Sequence, residues 1–155
     1  MSDVTVTIIP YDEAYRDDMI FMVLEAKDAL GRVQRLNEDL LAVKETYLDR
    51  GYGFWLALDE NDRVVGCVGW HRHADTGEAF LHRLYVKASR KRQGIGSTLL
   101  ETAEAHMRAA GVSVSHVHLG EPREQWVESY AFYPKHGYIE YAPRYMKKTL
   151  KGPLA

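Results

Sequence analysis

A chain of 155 residues with a formal net charge of −2 is long enough for one domain with its own core, and it carries no overall basic field to draw it onto nucleic acid. Its one cysteine, Cys67, excludes an intrachain disulfide and a thiolate metal cluster, and no apolar stretch is long enough to cross a bilayer. The opening Met-Ser-Asp-Val-Thr-Val lacks the charged-then-apolar pattern of a secretory signal, so a cytoplasmic protein with no membrane association is expected, folded as a single domain over 1–155.

Val4 to Ile9 alternates β-branched residues and stops at Pro10, as a strand does. Asp12 to Leu30 places Ile20, Phe21, Val23, Leu24, Ala26 and Ala29 at helical spacing, and Gly31 ends the run. Asn37 to Leu48 reads as a second amphipathic helix with Asn37 as its N-cap and Leu40, Leu41, Val43, Thr46 and Tyr47 near its buried side. Phe54–Leu58 and Val64–Arg72 form a hairpin across Asp59-Glu-Asn-Asp62, and Asp75-Thr-Gly77 turns the chain into a strand over Ala79–Val86. Cys67, inside the apolar run Val64–Trp70, is expected to be an inert core thiol.

A helix over Ser97–Ala110 buries Leu99, Leu100, Ala103 and Met107 and ends at Gly111; Val112–Leu119 follows as a strand. A helix over Glu124–His136 closes at Gly137, Tyr138 to Leu150 supplies the last strand, and the tail after Lys151 is expected to fray. The order β-α-α-β-β-β-α-β-α-β implies a mixed α/β fold. Three consecutive strands form a meander, 79–119 forms a parallel strand–helix–strand unit, and helices cover both faces.

The segment Val86-Lys-Ala-Ser-Arg-Lys-Arg-Gln-Gly-Ile-Gly-Ser97 joins the fourth strand to a helix. Gly94 and Gly96 let the backbone approach a ligand, a helix N-terminus presents unpaired N–H groups, and Lys87, Arg90, Lys91 and Arg92 add positive charge. Such a turn holds a pyrophosphate. It is not a nucleotide-hydrolysing loop, because Gly94-Ile-Gly96 runs into Ser97 without the required lysine. It is not a dinucleotide fingerprint either. Leu stands at 99 where the third glycine belongs, and the next strand ends on His118-Leu119 without an acid.

The chain resembles the GCN5-related N-acetyltransferase family, whose motif Arg/Gln-x-x-Gly-x-Gly/Ala lies at this strand-to-helix turn. Here it reads Lys91-Arg-Gln-Gly94-Ile-Gly96, with the strand end Leu84-Tyr85-Val86 upstream, and the family's later motif reads Ala131-Phe-Tyr133-Pro-Lys-His-Gly137-Tyr138. The resemblance covers about residues 4 to 150. Two positions depart from it: Lys91 replaces Arg or Gln, and Trp126 and Ser129 occupy the helix where relatives often carry an asparagine.

The resemblance implies an acyl-CoA N-acyltransferase fold and acetyl-CoA as co-substrate, with no metal. Its pyrophosphate would be held by Lys91, Arg92, Gln93, Gly94, Ile95, Gly96 and Ser97. It further implies that Leu84, Tyr85 and Val86 polarise the thioester carbonyl and that Tyr133 is the acid facing the sulfur. Many relatives place a glutamate four residues before the strand-end valine; that position is His82, the candidate base, on one strand face with Phe80, Leu84 and Val86. Glu78, His71, His73, His116 and His118 are lesser candidates.

The expected reaction is acetylation of a small-molecule primary amine by direct attack in a ternary complex. The alternatives are a protein lysine or N-terminal amine as acceptor, or a non-catalytic acyl-CoA sensor. A homodimer is common in the family. The pairs His71-x-His73 and His116-x-His118 lack further metal ligands at useful spacing, so no metal is expected. Trp55, Trp70, Tyr47 and Tyr52 read as core and cleft-rim aromatics, and Glu25, Asp28, Glu38 and Asp39 as a solvated helix face.

Overall fold

Seven strands build one mixed sheet in the order β1-β2-β3-β4-β5-β7-β6 in the computed structural model, which describes residues 6–33 and 35–150. The strands are β1 (Thr7–Pro10), β2 (Gly53–Leu58), β3 (Val64–Arg72), β4 (Ala79–Val86), β5 (Val114–His118), β6 (Ile139–Ala142) and β7 (Tyr145–Thr149). The expected strand start at Val4 and Thr5 and the expected fraying after Lys151 fall outside the described residues. The region assigned one final strand is a hairpin, because Arg144 takes φ +70° and turns the chain between β6 and β7. Among the described residues no helix is long and apolar enough to cross a membrane.

Among the described residues, four α-helices accompany the sheet: α1 (Arg16–Ala29), α2 (Val43–Thr46), α3 (Ile95–Ala109) and α4 (Val127–Lys135). On one face α3 packs Ile95, Leu99, Leu100, Ala103 and Met107 against Trp55, Val68, Trp70 and Leu81. On the other, α1 and the α2 region pack Met19, Met22, Val23, Leu40, Val43 and Tyr47 against Phe54, Leu56 and Cys67. The α1 register therefore differs from expectation: Met19 and Met22 are buried, while Phe21 is 61% exposed.

The expected helix over 37–48 is broken into a 3₁₀ turn at Glu38–Leu41, the single turn α2 and another 3₁₀ turn at Leu48–Arg50. Asn37 does not cap it. Its side-chain oxygen accepts from the buried Lys27 ammonium at 2.6 Å, and the Arg35 carbonyl accepts from the same group at 2.7 Å. A buried ammonium needs such partners, and this demand outweighs the cap. On the α3 face, the buried Glu104 accepts from Tyr138 at 2.9 Å and from Lys148 of β7 at 3.0 Å.

Candidate active site

The parallel pair β4–β5 is joined only at Ala79–Ser115 and Phe80–His116. Beyond Phe80 the two strands part, and the far half of β4 is left with an open edge. A cleft of about 570 Å³ lies there, lined by Leu84, Tyr85 and Val86, by the 90–97 turn, by Ala26, Leu30 and Arg32, and by one side of α4. Tyr133 of α4 is among its walls.

The helix at the cradle starts two residues earlier than expected, at Ile95, with Gly94 before it at φ +82°. The first intrahelical bond is Thr98 N–H to the Gly94 carbonyl at 3.0 Å, so the amides of Ile95, Gly96 and Ser97 have no partner within the helix. A Cβ at Gly94 would meet nothing within 4 Å, so this backbone is open, and Arg92 also takes a positive φ of 64° beside it.

Arg32, Arg90, Lys91, Arg92 and Lys135 bring positive charge to the cleft against one carboxylate, Glu128. The Nε of Arg90 is buried without a hydrogen-bond partner, a donor that a phosphate oxygen would satisfy. Lys91 pairs with Glu128 across the mouth. These features fit the pyrophosphate of a coenzyme A. Of the residues expected to hold it, all line the cleft except the exposed Gln93.

Sequence reasoning missed Arg32 and Glu128. Arg32 stacks on Trp126 at 3.5 Å and reaches the Gln125 carbonyl at 3.4 Å, bridging the end of α1 to the start of α4. No local pattern announces this contact between segments more than ninety residues apart. In a second hollow, between residues 121–123 and the β6–β7 turn, Arg144 meets Glu121 at 3.1 Å and Arg123 lies over the Tyr130 ring at 4.0 Å.

His82 lies elsewhere than the alternation predicts. The register steps from Gly69–His82 to Cys67–Tyr85, so Arg83 and Leu84 together oppose Val68. Arg83 sits at φ +59° in this β-bulge, and the extra residue reverses the faces beyond it. Phe80 and His82 therefore share a face with Tyr85, while Leu84 and Val86 pack on the α3 side. His82 does not line the cofactor cleft.

Instead, the Nε2 of His82 faces the Nε2 of His71 at 3.0 Å and its Nδ1 lies 3.5 Å from the Tyr47 hydroxyl. That hydroxyl donates to Asp39 at 2.7 Å, and Asp39 accepts from Arg83 Nη2 at 2.8 Å and Nε at 3.0 Å. Asp39 is thus no solvated helix carboxylate, whereas Glu25, Asp28 and Glu38 are exposed as expected. Burial lowers the His82 pKa to about 4, with the neighbouring His71 and Arg83 adding to the effect. The Arg83 pair and the Tyr47 hydrogen bond hold Asp39 below its usual range against the opposing effect of burial, the largest influence on it. Burial raises the phenol of Tyr133, so it keeps its proton through neutrality.

No curated protein matches this chain by sequence. Solved structures share its fold. An acetyltransferase of the GNAT family from Staphylococcus aureus Mu50 superposes with a TM-score of 0.86 at 21% identity, over 95% of this chain and 100% of that one. The PaiA N-acetyltransferase of Thermoplasma acidophilum, solved in complex with coenzyme A, gives 0.70 at 20% identity over 94% and 99%. A GNAT family acetyltransferase from Brucella melitensis, in complex with acetyl-CoA, gives 0.69 at 16% over 97% and 92%. The model of the acetyltransferase (GNAT) family matches residues 13–138, across the splayed strands, the cradle and α4 together, and the chain belongs to that family.

Proposed function

We propose that this protein transfers the acetyl group of acetyl-CoA to the primary amine of a small molecule by direct attack, with both substrates bound at once. The observation that best supports this is one continuous cleft. It joins the free amides and cations of the α3 N-terminus to the open edge of β4 and to Tyr133. Bound acetyl-CoA would supply the acetyl group in activated form, as a thioester. The amides of Ile95, Gly96 and Ser97, with Arg90, Lys91 and Arg92, would hold its pyrophosphate.

Main-chain groups at Leu84–Val86, without β5 partners, are in place to donate to a carbonyl oxygen as it gains charge. Burial holds His82 in its neutral form, and its Nε2 faces His71 on the α1–α2 side of β4, so a proton from an amine approaching there would reach it through His71. Tyr133 keeps its proton and presents it inside the cleft, where it stabilises a departing sulfur by hydrogen bonding.

A covalent route through cysteine is disfavoured. Cys67 is fully buried, its thiol donates to the Arg83 carbonyl at 3.1 Å, and burial pushes its pKa up to about 12. Thiol release from acetyl-CoA across a panel of amines, with product masses, tests the proposal. Amine-dependent release with acetylated product is the expected result. Tight acetyl-CoA binding without release from any amine or lysine peptide would instead favour a sensor.

A further inference from the structure

Beyond His82 the same sheet face carries a band of rings. His71 of β3, Phe80 of β4 and His116 of β5 are register partners in one cross-strand row. His71 and Phe80 lie 5.8 Å apart and 12° from parallel, and Phe80 and His116 lie 4.8 Å apart and 14° from parallel. Tyr52 extends the row at one end, 6.5 Å from His71, and Tyr141 at the other, 5.5 Å from His116. His71, Phe80 and Tyr52 are half-buried and Tyr141 is 46% exposed, so the band meets solvent. Neither α1 nor α3 contributes a side chain to it.

The carboxylates beside this band are already hydrogen-bonded. Glu78 accepts from or shares a proton with His116 Nε2 at 2.7 Å, and Tyr141 meets His116 Nδ1 at 2.9 Å. Asp39, at the His82 end, is taken by Arg83 and Tyr47. At the far end the Lys147 ammonium lies over the Tyr141 ring at 4.9 Å. Among the described residues along the band, a second positive charge on a ligand would find Glu78 and Asp39 already engaged by His116 and by Arg83 and Tyr47, and would meet Lys147. An uncharged aromatic group would find the edges of this row of rings.

Resting on the acetyl-transfer reading above, we propose that the acceptor is an arylalkyl amine whose ring is held by Phe80 and its neighbours His71, His116 and Tyr141. Phe80 and His82 are two residues apart on one face of β4, about 7 Å along a strand. That spacing suits an amine separated from its ring by two or three bonds.

The test compares phenethylamine with hexylamine and spermidine by thiol release, and titrates phenethylamine calorimetrically onto the protein saturated with coenzyme A. The expected result is a kcat/KM for phenethylamine about threefold to tenfold above both other amines, the scale of a well-placed ring contact. Measurable calorimetric binding is also expected. In Phe80→Ala the ratio of phenethylamine to hexylamine kcat/KM should fall toward one; Phe80→Leu serves the same purpose if the alanine variant does not fold. Equal turnover of phenethylamine and hexylamine, or a preference for spermidine, would overturn the ring proposal while leaving acetyl transfer intact. Release from no amine, with acetyl-CoA still bound, would remove both.

Discussion

The Nε2 atoms of His71 and His82 face each other at 3.0 Å across β3 and β4, so one of the two rings donates the shared hydrogen and the other accepts it. Each imidazole thereby fixes the tautomer of the other. The second nitrogen of His82 points toward Tyr47, whose own hydrogen is given to Asp39. His82 is the more deeply placed of the pair, and burial lowers both pKa values.

This arrangement sets a pH prediction. With a pKa near 4, His82 is in its base form at any pH above that value, not only above the usual histidine value of about 6.5. After correction for the fraction of unprotonated amine, kcat/KM should fall as pH drops through about 4, and His82→Gln should lack that limb. His71→Phe should move the limb upward, because the depression contributed by His71 is lost. A limb unchanged in His82→Gln would place the base elsewhere.

The same shift links to stability. The folded pKa lies below the unfolded one, so the stabilising contribution is whole above about pH 6.5. It is lost between about 6.5 and 4 as the unfolded chain takes up a proton that the folded chain refuses. The loss from His82 amounts to about 3 kcal/mol. Urea midpoints measured across this window should fall less steeply in His82→Gln than in the parent.

Tyr133→Phe should lower kcat about 10²-fold and leave the KM for acetyl-CoA near its parent value, because the ring still packs beside Phe132 and Tyr138 while only the proton is removed. Steady-state kinetics with any accepted amine would show it; an unchanged kcat would remove the role.

Glu128→Gln should tighten acetyl-CoA binding about threefold. The carboxylate is the one negative side chain lining the cleft, and it pairs with Lys91, competing with an incoming phosphate for that ammonium. The gain should shrink at high salt. Calorimetry at two ionic strengths checks both statements, and weaker binding in the variant would mean that Glu128 supports the cradle.

Lys148→Met should cost about 2 kcal/mol of folding stability, since Glu104 is 4% exposed at its side chain and would lose its 3.0 Å partner. Thermal unfolding would register this as a drop of several degrees. Adding Glu104→Gln should recover part of it.

Periodicity and turn residues were sufficient for the elements with a strong local pattern. The β4 limits and the buried stripe of α3 agree with the structure, because each depends on neighbours within a few residues. The 37–48 helix failed where a buried Lys27, ten residues upstream of Asn37, claimed the side chain that a cap needed. Alternation failed at Arg83, because nothing in Leu-His-Arg-Leu-Tyr-Val signals an extra residue, and one bulge reverses every side chain after it.

The sequence by itself determined the family, the limits of β4 and the glycine turn that opens α3, all of which are short-range chemistry repeated at fixed spacing. Tertiary structure alone decided that β4 parts from β5, that Arg32 and Glu128 join the cleft wall, and that His82 pairs with His71 and Tyr47 rather than facing Leu84. These outcomes depend on which distant side chains compete for the same buried hydrogen bonds and charges, and that competition is settled only when the sheet and its helices close around them.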